Sequence, residues 1–155
     1  MKSNLAMTKL LDDVTITSLK PALRAIVDRG FDVREDCYFL AALLPTATNV
    51  TKSSFQDCTG YECFVNSVHI EDYDDNNLLS QAIQFVSDIF ATWRALTSDL
   101  PLISIVSVDE SSVVVKFHVK RPTEQWLSEN LEGYEDPIML MESSEDWPMA
   151  SAIQN

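Results

Sequence analysis

No segment constrains the fold of this chain more than residues 78–96. Leu78, Leu79, Ala82, Ile83, Val86, Ile89, Phe90, Trp93 and Leu96 recur there at three- and four-residue spacing, which lays them along one wide stripe of an α-helix. A stripe that wide has to be covered by another layer. The cover follows directly: Pro101 closes the helical region, and the strand-forming runs 102–108 and 113–120 flank the turn Asp109-Glu110-Ser111-Ser112, which predicts a β-hairpin. Alternation turns Val113, Val115, Phe117 and Val119 toward the core and Lys116, His118 and Lys120 outward. At the front of the helix, Asp74, Asp75 and Asn76 can cap it and complement its positive end, with Gln81, Gln84, Asp88 and Arg94 on or near its wet side.

The remaining elements are shorter. Thr17-Ser18-Leu19-Lys20-Pro21 signals a helix start and Gly30 a left-handed stop, so a first helix is expected over 18–29. Residues 37–44 form an apolar run stopped by Pro45 and read as a strand. A polar loop over 46–60, with room for a short strand near 49–51, leads to a second strand over 61–70 that should pair with the first. After the hairpin, a short helix over 124–130 and a last strand at 137–141 complete the order α-β-β-α-β-β-α-β. This is an α+β fold, a single antiparallel or mixed sheet covered by helices. One domain spans 1–155, with 1–14 and 143–155 as loosely ordered tails. Residues 1–6, ahead of a second methionine at Met7, are left out of the fold expectation.

Composition narrows partners and compartment. Of 155 residues, 24 are Asp or Glu against 11 Lys or Arg, a net charge of −13, which argues against phosphate-neutralising contacts with nucleic acid and against anionic membranes. The N-terminal residues hold no apolar run of signal-peptide length and no stretch reaches membrane-spanning length, so a cytoplasmic protein is expected. Three scattered cysteines, Cys37, Cys58 and Cys63, suit a reducing compartment better than a disulfide framework.

Motifs of chemistry are scarce. Asp72, Asp74 and Asn76 match the first ligand positions of a calcium loop, but Asn77 stands where that loop needs Gly and Ile83 where it needs a bidentate Glu. Zinc is disfavoured because Cys58 and Cys63 are five positions apart and His69 and His118 lie on separate strands. Gly30, Gly60 and Gly133 are isolated, so neither a Walker loop nor a dinucleotide fingerprint exists and no cofactor is expected. No cysteine is expected beside a helix start; Cys58, in the polar loop, is the one candidate nucleophile for a small enzyme.

The arrangement of charge is the remaining signal. Residues 53–93 and 122–155 contain no Lys or Arg at all, and acidic residues in them alternate with Tyr73, Trp126, Tyr134 and Trp147. Steering charge beside aromatic anchors is what a surface needs to meet a basic protein. The candidate partner-binding residues are therefore Asp72, Tyr73, Asp74, Asp75, Glu132, Tyr134, Glu135, Asp136, Asp146 and Trp147.

The run Tyr61-Glu62-Cys63-Phe64-Val65-Asn66-Ser67-Val68-His69-Ile70-Glu71-Asp72-Tyr73, the amphipathic helix after it, and the stretch from Val115 through Arg121 and Trp126-Leu127 to Gly133-Tyr134 resemble the small acidic immunity proteins of bacterial contact-dependent growth inhibition systems, over about residues 15–142. That resemblance implies a cytoplasmic, non-enzymatic protein that binds the C-terminal toxin domain of a cognate effector, often a nuclease, and blocks its active site. The element order is also similar to that of type III secretion chaperones, which hold an unfolded effector segment on a dimer.

Overall fold

The computed structural model describes residues 1–97 and 99–145. Its elements are β1 (Lys2–Ser3), α1 (Leu5–Leu11), α2 (Pro21–Arg29), β2 (Phe31–Arg34), β3 (Cys37–Leu40), α3 (Cys58–Val65), β4 (Ser67–His69), α4 (Leu78–Leu96), β5 (Leu102–Asp109), β6 (Ser112–Val119) and β7 (Ile138–Glu142), with short 3₁₀ turns between several of them. A five-stranded sheet runs β1-β7-β5-β6-β4, every pairing antiparallel, and β2-β3 forms a separate hairpin. The class is α+β, as the patterning requires.

The long helix and the hairpin form where their periodicity puts them. Nine residues of α4 are buried, and its stripe packs with Val113, Val115, Phe117 and Val119 of β6 and with Leu102 and Val106 of β5 in the main core. Trp93 is fully buried, donates Nε1–H to the Leu100 carbonyl at 2.6 Å, and meets Phe31 and Tyr38 edge-on at 5.0 and 5.1 Å. The helix start departs from expectation. Its N-cap is Asn77 at φ +58°, with no side-chain cap, while the Asp74 carboxylate turns back to accept from the Asn76 amide. Gln81 is buried rather than wet: its amide donates to Thr17 Oγ1 and the Ser18 carbonyl and its oxygen accepts from the Lys20 amide. Thr17 is thereby tied to α4 instead of capping α2, which begins at Pro21 and ends at Gly30, whose φ of +68° and ψ of −148° only glycine adopts freely.

Five other expectations are corrected. Residues 1–14 are not a loose tail: β1 pairs with β7, and Asn4 accepts from the Met7 and Ile138 amides with Oδ1 and donates to the Asp136 carbonyl at 2.8 Å. That buried amide side chain cap lets α1 drop Met7 into the main core. Residues 61–70 are not one strand: α3 takes Cys58–Val65, and the three residues of β4 pair with β6, not with β3. Aromatic and β-branched propensity pointed to a strand, but Asp57 caps the Gly60 amide at 2.8 Å and a local helix wins. The run 37–44 stops being a strand at Leu40 and becomes a 3₁₀ turn over Ala41–Thr46, and the short strand allowed near 49–51 is absent, with a 3₁₀ turn at Lys52–Ser54 following. No helix forms over 124–130; Arg121 and Glu124 make an isolated bridge, and the first regular turn after them is 3₁₀ at Leu131–Gly133.

The cysteines are also corrected. Cys37 and Cys58 are joined in a disulfide, and Cys63 is free and buried. The two partners are 21 residues apart in sequence, and only the docking of α3 against the β2-β3 hairpin brings their Cα atoms to 5.4 Å. Cys58 is the first residue of α3, contrary to the expectation that no cysteine sits at a helix start, and its sulfur is engaged in this bond. No helix among the described residues is long and apolar enough to cross a membrane.

Candidate functional site

One end of the sheet collects acidic residues from three separate segments. Glu71 fixes the first segment there: its carboxylate accepts from the Val113 amide at 3.0 Å and the Ser112 hydroxyl at 2.9 Å, at the start of β6. Asp72, Asp74 and Asp75 follow it. Asp109 and Glu110 form the β5–β6 turn itself. On the other edge, Ser107 pairs with Ile138 and Val108 donates to the Pro137 carbonyl at 3.0 Å, which sets Glu135 and Asp136 beside the same turn. Residues 69–77, 107–113 and 132–137 contain no Lys or Arg. A Lys20 ammonium lies 4.0 Å from Asp74, and the His69 ring nitrogen is 3.1 Å from Glu71. Burial pushes the Glu71 carboxyl up, but hydrogen bonds from its own backbone, Ser112, Val113 and His69 outweigh that and hold it below the ordinary carboxylate value.

The sequence-selected residues thus fall into groups. Asp72, Asp74, Asp75, Glu135 and Asp136 share this end, on opposite edges of the sheet. Glu132 turns away from it and accepts from the Leu5 amide at 2.5 Å, at the start of α1. Tyr73 is half-buried against the main core, and Tyr134 packs on Ile103 and Ile105 with its hydroxyl accepting from the Ser128 amide, so neither ring stands free as an anchor. Asp146 and Trp147 lie outside the described residues.

A second feature was not anticipated. On the face of the sheet away from α4, the register sets His118 opposite Ile103 and Ile103 opposite Glu142. The segment after β6 crosses this face, packing Leu127, Leu131 and Tyr134 against Ile103, Ile105 and Ile138. Between that segment and the strands lies an open groove of about 400 Å³, with Trp126 on its wall at 46% exposure and His118 in its lining at 6%. Its volume is in the range of a ligand cleft, and its lining mixes Ile103, Leu131 and Leu140 with a larger number of polar and charged side chains. Alternation turns His118 away from α4 as expected, but the crossing segment covers it and its ring is hydrogen-bonded to the Val119 carbonyl.

The wall beside His118 is held by a buried ion pair. Glu62 of α3 is fully buried, and its carboxylate accepts from Arg121 Nη1 and Nη2 at 2.9 and 2.6 Å, from the Val119 amide at 2.8 Å and from the Tyr38 amide at 2.7 Å. One turn on, Asn66 accepts from the Leu40 amide and donates to the Tyr38 and Phe117 carbonyls. Together these two side chains satisfy the facing edges of β3 and β6, which no strand joins. The ion pair and hydrogen bond to Glu62 raise the Arg121 pKa against the opposing effect of burial. Burial lowers that of His118, against the raising pull of its hydrogen bond and of Glu62, so its ring is neutral at pH 7. Burial likewise pushes the Cys63 thiol to about 12, which leaves it inert.

Comparison with known proteins adds a lineage. The family described as "Uncharacterized protein PM0498 family" matches residues 2–154, almost the whole chain. The chain belongs to the PM0498 family. A Pasteurella multocida (strain Pm70) relative, "Uncharacterized protein PM0498", is 32% identical over 65 residues, 42% of this chain and 41% of the relative, so the alignment spans less than half of either protein. No solved structure matches. The PM0498 family brings no activity with it, and function has to be argued from the surfaces above.

Proposed function

We propose that this PM0498-family chain binds and neutralises a basic protein domain, as an immunity protein that protects a bacterial cell from a toxin with nuclease activity. The observation that carries the reading is the acidic end of the sheet, where three segments without a Lys or Arg meet around the β5–β6 turn. A nuclease has to present positive surface to nucleic acid, and an acidic inhibitor competes for that surface. The type III chaperone alternative calls for one broad apolar dimer face, whereas the exposed large apolar residues among the described ones fall in five parts of the chain, Met1, Leu5 and Leu10 together, Leu96 and Leu100 together, and Val33, Phe64 and Trp126 singly.

The test is co-expression with the toxic domain encoded immediately upstream, scoring growth and co-purification together. Rescue with a stable complex is the expected outcome, and reversal of Asp72, Asp74 and Asp75 together should lower the association rate by about tenfold or more at low salt without unfolding the chain. Absence of rescue and of a complex sinks the immunity reading.

A further inference from the structure

We propose that the groove beside β6 receives an arginine side chain of the basic partner, its guanidinium donating a hydrogen bond to His118 Nε2 and lying on the Trp126 indole. The proposal rests on the reading of the chain as a binder of a basic protein.

Three observations carry it. First, His118 Nδ1 is 2.9 Å from the Val119 carbonyl, which can only accept, so Nδ1 holds the proton and Nε2 of the neutral ring presents a lone pair. No partner for Nε2 is recorded among the described residues, and it is not one of the fully enclosed unpartnered atoms. The ring is nine-tenths buried, but Nε2 is not sealed off, so its lone pair is open to a donor that enters the cleft. Second, two of the three cations that line the groove, Arg121 and Lys120, are already engaged, Lys2 being the third. Arg121 is bound by Glu62, and Lys120 is paired with Glu142 at 2.9 Å, while Glu129 on the rim has no recorded partner. Of the four lining carboxylates, Glu142 is held by Lys120, Glu145 by the N-terminal ammonium and Glu124 by the Thr59 amide, which leaves Glu129 as the carboxylate facing a positive guest. Third, Trp126 is half-exposed on the wall although large aromatics are usually more buried. An indole face attracts a planar cation, and a guanidinium both stacks and offers five donors, which a lysine ammonium does not match.

The experiment is an NMR titration of the isotopically labelled full chain with N-acetyl-arginine methylamide, and with the lysine analogue as control. Saturable shifts of the His118 ring nitrogens and the Trp126 indole N–H are expected, with the lysine analogue several-fold weaker. His118→Asn keeps a donor for the Val119 carbonyl but lacks the Nε2 acceptor, and should weaken the arginine probe about tenfold. Trp126→Ala, at an exposed position, should weaken it about threefold without affecting folding. No saturable shift at His118 and Trp126, equal response to both probes, or shifts confined to the acidic end of the sheet would overturn the proposal. The titration uses no toxin, so its failure beside an intact toxin complex removes only the groove assignment, and arginine binding without toxin rescue removes only the immunity reading.

Discussion

Replacing Glu62 tests the central structural argument. Its carboxylate is fully buried and takes four hydrogen bonds, two from Arg121 and one each from the amides of Tyr38 and Val119. In Glu62→Ala the Arg121 charge loses its partner, which costs about 3–5 kcal/mol for a buried pair. Two buried amides also lose their acceptor, at about 1–3 kcal/mol each if nothing replaces it. These contributions overlap because water can enter the space left behind, so the expected loss is about 4–6 kcal/mol. With a urea slope of about 2 kcal/mol/M, the unfolding midpoint should fall by about 2–3 M. That approaches the whole stability of a domain of this size, so Glu62→Gln, which keeps the shape and one acceptor oxygen, is the companion variant, expected to lose about 3 kcal/mol. Arg121→Gln completes a double-mutant cycle in which the coupling should exceed about 1.5 kcal/mol. If both Glu62 variants unfold within about 1 kcal/mol of wild type, the joint between β3 and β6 does not depend on this carboxylate and the reasoning fails.

Three further outcomes follow from the same structure. In the oxidised protein, thiol titration should find one cysteine after denaturation and none reacting quickly before it, and reduction of the Cys37–Cys58 bond, which closes a 21-residue separation, should cost about 3 kcal/mol by loop entropy; three reactive thiols would contradict the pairing. Asn4→Ala removes the acceptor of the Met7 and Ile138 amides and should cost about 2–3 kcal/mol while raising hydrogen exchange at Ile138; unchanged exchange would mean that the N-terminal residues do not brace β7. The Glu71 carboxyl has a folded pKa below its unfolded value of 4.5, so its stabilisation is complete above that value and is lost as pH falls through the lower folded one. Glu71→Gln should therefore flatten the acid limb of a stability-versus-pH curve, and a limb identical to wild type would refute the assignment.

Helical and strand periodicity was informative where an element is long and one-sided. The α4 stripe, the β5–β6 hairpin and the last strand are all readable because their burial repeats over several turns or residue pairs. The same reasoning failed for α3, where eight residues of mixed propensity took their conformation from an Asp57 cap and from contacts with β3 and β6. It also failed for Gln81 and His118, polar residues whose burial depends on segments distant in sequence. Among the candidate binding residues, charge identified Asp72, Asp74, Asp75, Glu135 and Asp136, but nothing in the linear order distinguished them from Glu132, which caps the start of α1.

By itself, then, the sequence determined the class of fold, the long covering helix and the excess of negative charge, because each is a property of local spacing or of simple composition. Only the tertiary structure decided that three acidic segments meet at one end of the sheet, that Cys37 meets Cys58, and that Glu62 and His118 are enclosed. Those pairings join residues separated by 21 to 59 positions, and which partners meet is set by how α3 and the segment after β6 dock onto the strands. Docking minimises unpaired buried polar groups over the whole chain at once, a condition that no local window of residues contains.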